Sequence, residues 1–134
     1  MRVKLYKGDT DYEMLQRWWV ASGCPVVDAS QLETLGMIGY TDDNQPACAV
    51  FAYLSKGVGV AFLEHFISNP MVKSPIQKLK ASDYLLNHML DILECDGYQL
   101  VRASTWSETL AKVCQKRFGF QLIGDNYHNL SLIV

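Results

Sequence analysis

The chain has 134 residues, 49% of them apolar and 19% charged, with a formal net charge of −2. A domain of this length buries roughly two-thirds of its unfolded surface, so its size calls for neither metal nor disulfide, and its composition excludes a disordered or low-complexity polypeptide. The near-neutral balance supplies no broad electrostatic surface for nucleic acid or anionic lipid, and no apolar run approaches the roughly 20 residues of a membrane span.

The pattern along the chain predicts a short strand at Val3–Tyr6. A helix follows, capped by Asp9 or Thr10, carrying Leu15, Trp18 and Trp19 and ended by Gly23. The two tryptophans are adjacent, so a helix separates them by about 100° and only one is expected to face a core squarely. Cys24 to Gln31 reads as a loop. Leu35–Tyr40, Ala47–Leu54 and Val58–Ile67 then read as an antiparallel meander, with turns at Asp42–Gln45 and Ser55–Gly57. Ser74-Pro75-Ile76-Gln77 is a capping box with proline at the first helical position, opening a helix to Asp96. Leu79, Leu85, Leu86, Met89, Ile92 and Leu93 form its apolar stripe. Tyr98–Ala103 is a strand, Thr105-Trp106-Ser107-Glu108 a second capping box, and the helix it starts ends at Gly119. Phe120–Ile123 and Asn129–Val134 make a final hairpin across Gly124-Asp125-Asn126. The order is β-α-β-β-β-α-β-α-β-β, an α/β (α+β) single domain over residues 1–134. Its sheet of about six or seven strands is mixed and mostly antiparallel, flanked by helices. The helix between the third meander strand and the strand at Tyr98 permits a parallel pair there.

Cys24, Cys48, Cys95 and Cys114 are far apart, as are His65, His88 and His128, so the closely paired ligands of a zinc site are missing. The beginning of the chain lacks the apolar segment of a secretory signal. Reduced, mostly buried cysteines and a cytoplasmic location are therefore expected.

The segment Ala111-Lys112-Val113-Cys114-Gln115-Lys116-Arg117-Phe118-Gly119-Phe120, followed by Gln121-Leu122-Ile123-Gly124, resembles the helix–GF–strand segment of GNAT acyltransferases. These enzymes transfer an acyl group from coenzyme A, and their element order is the one read above. Leu35-Gly36-Met37-Ile38, Gln45-Pro46-Ala47-Cys48-Ala49 and Ser68-Asn69-Pro70 resemble small GNAT-like proteins of bacteriophages and prophages, which would place the chain in a host cytoplasm. The resemblance implies acetyl-coenzyme A as cofactor. It implies binding where the Val58–Ile67 strand, through Phe66, Ile67 and Ser68, meets the Pro75–Asp96 helix. The family's cofactor loop falls in the register Gln77-Lys78-Leu79-Lys80-Ala81-Ser82. Here Lys80 and Ser82 replace the glycines that let backbone approach a pyrophosphate. The capping box at Ser74 starts the helix earlier, while Lys73, Lys78 and Lys80 offer phosphate charge or a solvated helix face.

Amine acetylation needs a base, because an alkyl ammonium with a pKa near 10.4 must lose a proton before attack. The family often places a glutamate on the strand before the cofactor loop, and Glu64 matches that position. Glu64 is read on the same face as Val60, Phe62 and Phe66, in apolar surroundings that raise a carboxyl pKa. His65, on the opposite face, is the alternative base. The family's general-acid tyrosine falls on Gln115, which cannot protonate a thiolate, and Tyr127 has no fixed alignment. In the family the first helix and its following loop wall the acceptor pocket, so Trp18 and Trp19 are either core or wall; Trp106 is either core or cleft, and Cys114 reads as core. Two functions remain. One is an acetyltransferase acting on a small-molecule or protein amine. The other is a catalytically weak or inactive GNAT-fold protein that binds and modulates a host protein.

Overall fold

The computed structural model describes residues 1–105, 108–124 and 128–134, with the backbone alone at Gly124, His128 and Asn129. Its elements are β1 (Arg2–Leu5), α1 (Gly8–Ala21), β2 (Leu35–Tyr40), β3 (Pro46–Ser55), β4 (Val60–Ser68), α2 (Pro75–Cys95), β5 (Leu100–Thr105), α3 (Glu108–Phe118), β6 (Gln121–Gly124) and β7 (His128–Ile133). Short 3₁₀ turns at Ala29–Leu32 and Lys56–Val58 complete the path. This is the element order expected from the sequence.

The seven strands form one sheet in the order β1-β2-β3-β4-β5-β7-β6. Every neighbouring pair is antiparallel except β4–β5, which α2 connects in parallel. β3 lies inside the sheet and is covered on both faces, which explains its unbroken apolar run. Cys48, Val50 and Ala52 join the core under α2 and α3, whereas Ala49 and Phe51 join the core under α1. α2 packs over β1, β2 and β3, and α3 packs over β5 and β7. The two helices thus diverge above the line where β4 meets β5.

The helix starts differ from expectation in instructive ways. At α1 the N-cap is Lys7, in place of Asp9 or Thr10. The buried Asp11 carboxylate reaches back to accept the Lys7 amide at 2.8 Å and pairs with Lys4 Nζ at 2.6 Å. At α2, Ser74 caps as read, its Oγ accepting from the Gln77 amide at 3.3 Å. The reciprocal half of the box is replaced: Gln77 Oε1 accepts from the Asp42 amide at 3.3 Å, and its Nε2 donates to Asp42 Oδ2 at 3.4 Å. Gln77 therefore ties the helix start to the β2–β3 turn. The second capping box, Trp106 and the turn at Gly124-Asp125-Asn126 lie wholly or partly outside the described residues, as does Tyr127. Gly119, at φ 74°, supplies the left-handed residue that ends α3 and turns the chain into β6.

Trp18 and Trp19 are both buried, against the expectation of one. The segment after α1 wraps back over the helix, so α1 has two covered faces. Val27 and Leu32 pack in the same cluster, and Tyr12 Oη donates to the Val27 carbonyl at 2.7 Å. Cys48 and Cys114 are buried, but Cys24 and Cys95 are exposed, which corrects the expectation of mostly buried thiols. Cys24 lies just past α1 and Cys95 in the last turn of α2, where side chains point to solvent. Among the described residues no helix is long and apolar enough to cross a membrane.

Candidate active site

The parallel pairing of β4 and β5 runs from Val60↔Leu100 to Leu63↔Ala103 and stops. Beyond that point β4 follows β3 to Ser68↔Cys48, whereas β5 follows β7 to Thr105↔His128. The two strands separate, and a cleft of about 370 Å³ opens between them. Glu64, His65 and Phe66 form its β4 wall, and Ala103, Ser104 and Thr105 its β5 wall. Val50, Leu86, Leu110, Cys114 and Leu130 give it an apolar lining. Among the described residues, the β5-facing edge of β4 from Glu64 to Ser68 has no strand partner.

A bulge sits at the mouth of the splay. Phe51 pairs with Glu64 and Ala49 with Ile67, so Val50 alone faces two residues, His65 and Phe66. His65 takes the left-handed conformation, φ 57°, which few non-glycine residues adopt. The extra residue reverses the side-chain alternation. Phe66 packs against the α2/α3 core with Leu63, and Ile67 joins the α1 core. Glu64 and Phe66 accordingly do not share a face, as uninterrupted alternation would have had it. Nor is His65 confined to the face opposite Glu64. Both residues line the cleft, and both line a second groove with Ser30, Gln31, Glu33, Thr34, Tyr53 and Leu54.

That groove is walled by the segment read as a loop, which hydroxyl groups hold in place. Asp28 Oδ1 accepts from the Ser30 amide at 3.0 Å, Thr34 Oγ1 donates to the Ala52 carbonyl at 2.6 Å, and Tyr53 Oη lies 2.8 Å from the Gln31 carbonyl oxygen. Tyr53 Oη also lies 2.8 Å from His65 Nε2. Burial raises the Glu64 carboxyl above its ordinary pKa and lowers that of the His65 imidazole. The Tyr53 phenol is raised by burial and, secondarily, by the Glu64 charge. The site therefore favours the neutral forms of these half-buried groups.

The cofactor-loop register behaves otherwise. Gln77, Lys78, Lys80, Ala81 and Ser82 all belong to α2, so no loop exists at these positions. Ala81 is fully buried, its carbonyl close against Gly39, and Ser82 is directed at Cys48 in the core. Gln77 is engaged with Asp42. Lys80 and Lys73 are exposed and Lys78 is half-buried near the start of α2. Gln115 is exposed on α3. Cys114 lines the cleft, with burial pushing its thiol up to about 11. Tyr53, Ser104 and Thr105 are site-lining residues that the sequence reading missed. Nothing in Glu64-His65-Phe66, which lacks Gly and Pro, announces the bulge that brings them together.

No protein-family model matches the chain, and neither does any curated protein sequence. Solved structures do match. A GCN5-related N-acetyltransferase from Kribbella flavida superposes with TM-score 0.75 at 14% identity, covering 99% of this chain and 97% of that one. A GNAT-superfamily phosphinothricin acetyltransferase from Sinorhizobium meliloti, solved with acetyl-coenzyme A, gives 0.73 at 7% identity, covering 99% and 88%. A ribosomal-protein-alanine N-acetyltransferase from Brucella melitensis gives 0.70 at 10% identity, covering both chains completely. The chain has the GNAT fold.

Proposed function

We propose that this chain is a single-domain N-acetyltransferase that moves an acetyl group from acetyl-coenzyme A to an amine by direct attack. The observation that carries the reading is the β4–β5 splay, with Glu64 and His65 at the point where the cleft on one sheet face meets the groove on the other. A two-substrate transfer needs such a junction, because donor and acceptor must approach from different sides.

The cleft fits a pantetheine arm. Its lining mixes apolar side chains with Glu64, His65, Ser104 and Thr105. The edge of β4 at Phe66, Ile67 and Ser68, without a strand partner among the described residues, offers backbone amides and carbonyls to a ligand that carries amides of its own. Lys73, Lys78 and Lys80 supply cationic charge toward the pyrophosphate, together with the start of α2. Of the remaining α2 positions, Ala81 and Ser82 act through packing, and Gln77 through fixing the helix start. Acetyl-coenzyme A, when bound, supplies a thioester whose thiol has an ordinary pKa of about 8.5, so its thiolate leaves without obligatory protonation. Glu64 takes the proton from the acceptor ammonium, and its raised pKa narrows the gap that this transfer must cross. Gln115 cannot return a proton, and the Cys114 thiol stays protonated and packed at neutral pH. Solvent serves the leaving thiolate. The alternative, a catalytically weak or inactive GNAT-fold protein that binds a host protein, is favoured less: the helical cofactor register and Gln115 suit it, whereas the splay with Glu64 and His65 serves transfer.

Thiol release from acetyl-coenzyme A in the presence of a panel of amines tests the proposal; the panel spans polyamines, aminoglycosides and lysine peptides. General-base catalysis is worth roughly 10²- to 10⁴-fold. Glu64→Gln should lose turnover by that order, keep its coenzyme A affinity, and recover partly at high pH, where more amine is already neutral. A variant within threefold of wild type across the pH range would remove Glu64 from the reaction.

A further inference from the structure

Three groups meet at the bulge with unequal hydrogen-bonding capacity. Tyr53 Oη is 2.8 Å from the Gln31 carbonyl oxygen and 2.8 Å from His65 Nε2. A phenol has one proton to donate, and a backbone carbonyl only accepts. Both contacts are hydrogen bonds at once only when Tyr53 donates to Gln31 and His65 Nε2–H donates to Tyr53. That assignment places the imidazole proton on Nε2 and leaves Nδ1 with a free lone pair.

Among the described residues Nδ1 has no hydrogen-bond partner, and His65, half-buried, lines both the cleft and the groove. The bulge holds His65 in its left-handed backbone with the ring edge-on to Tyr53, centroids 5.8 Å apart. We infer that Tyr53 is a positioning residue that fixes His65 as the Nε2–H tautomer, and that His65 Nδ1 accepts a hydrogen bond from the amine substrate beside Glu64. The site then recognises a nitrogen that carries at least two hydrogens, one directed to each acceptor. Tyr53 also links this geometry to the groove wall, since its own proton is held by Gln31.

Among the described residues, the titratable groups that line the cleft and the groove with His65 are Tyr53 from β3, Glu64 from β4, Cys114 from α3 and Glu33 from the segment walling the groove. Burial lowers the imidazole pKa and so favours the neutral form that an acceptor needs. The amine contact rests on the acetyl-transfer reading, whereas the tautomer does not.

Long-range ¹⁵N–¹H correlation spectra of the labelled protein at pH 7.5 read the tautomer directly. His65→Asn assigns the signal, because asparagine tolerates the left-handed backbone. The expected pattern is Nε2–H, with an exchange-protected Nε2 proton that Tyr53→Phe abolishes. An Nδ1–H pattern in the wild type, or an Nε2 proton unchanged in Tyr53→Phe, overturns the assignment whether or not the protein is an enzyme. In kinetics, Tyr53→Phe should raise the KM for the amine about 5- to 10-fold, the worth of one neutral hydrogen bond. Its kcat should stay within threefold and its coenzyme A affinity should not change. An unchanged amine KM, with the Nε2–H tautomer in place, refutes the amine contact alone.

Discussion

Gly36→Ala probes the packing that holds the site. Gly36 pairs with Phe51 on β2–β3, and Phe51 pairs in turn with Glu64 on β4. A Cβ at position 36 would lie 2.5 and 2.6 Å from two Phe51 ring carbons and 3.0 Å from Tyr6 Cβ. Ordinary carbon contacts begin near 3.5 Å, so the overlap is about 1 Å. The ring has nowhere to go. Phe51 is fully buried, Tyr6 meets it edge-on with centroids 4.9 Å apart, and the His65 ring stands 6.5 Å away on another side. Overpacking of this kind costs about 1–3 kcal/mol. With an unfolding entropy of about 2.1 cal/mol/K per residue, a chain of 134 residues loses about 4–11 °C in Tm. Calorimetry of Gly36→Ala, Phe51→Leu and the double variant measures the coupling. The double variant should be more stable than the sum of the single losses predicts, by about 1 kcal/mol. Strict additivity, or a Gly36→Ala Tm within 1 °C of wild type, would refute this account of the Gly36–Phe51–Glu64 row.

The Glu64 carboxyl has a raised folded-state pKa, so the folded chain holds that proton more tightly than the unfolded one, and this contribution to stability declines as pH rises through the raised value. Glu64→Gln should melt above wild type at pH 7.5, with the advantage shrinking toward pH 4; a lower Tm at pH 7.5 contradicts the burial argument. With Cys24 and Cys95 exposed and the thiols of Cys48 and Cys114 both pushed up to about 11, a thiol reagent should count two groups in the native protein and four after unfolding. Fewer than four in unfolded, unreduced protein would disprove the reduced state. Asp11→Ala removes the acceptor of the Lys7 amide and the partner of Lys4, and should cost about 1–3 kcal/mol; a thermal midpoint within 1 °C of wild type would show that α1 starts without it.

The fold was legible because local signals agreed with each other. Ser74-Pro75 placed the α2 start, the 3.6-residue stripe through Leu85, Leu86, Met89 and Leu93 gave its buried face, and Gly119 marked the turn from α3 into β6. The site was less legible, because it depends on a register change. Strict alternation from Val60 put Glu64 and Phe66 together, and only the pairing of Val50 against two residues shows that they part. Tyr53 was invisible as a site residue for a related reason. Its role comes from a tethered segment 22 residues earlier in sequence, at Gln31. Trp18 and Trp19 misled because helical geometry describes one covered face, whereas the wrapping segment through Val27 and Leu32 supplies a second. Gln77 and Ala81 fit the family's motif register, yet the cap at Ser74 commits them to helix.

Isothermal titration of the purified protein with coenzyme A, repeated with acetyl-coenzyme A, tests the central claim that the β4–β5 splay is a cofactor cleft. The account predicts saturable binding of one molecule per chain. At about 100 times Kd, mass action should add about 2.7 kcal/mol of stability, which for this chain length raises Tm by roughly 10 °C. Glu64→Gln should bind equally well, and Ala103→Trp, which fills the cleft from its β5 wall, should not bind. An absence of heat and of thermal shift at millimolar coenzyme A, or binding that survives Ala103→Trp undiminished, would contradict it.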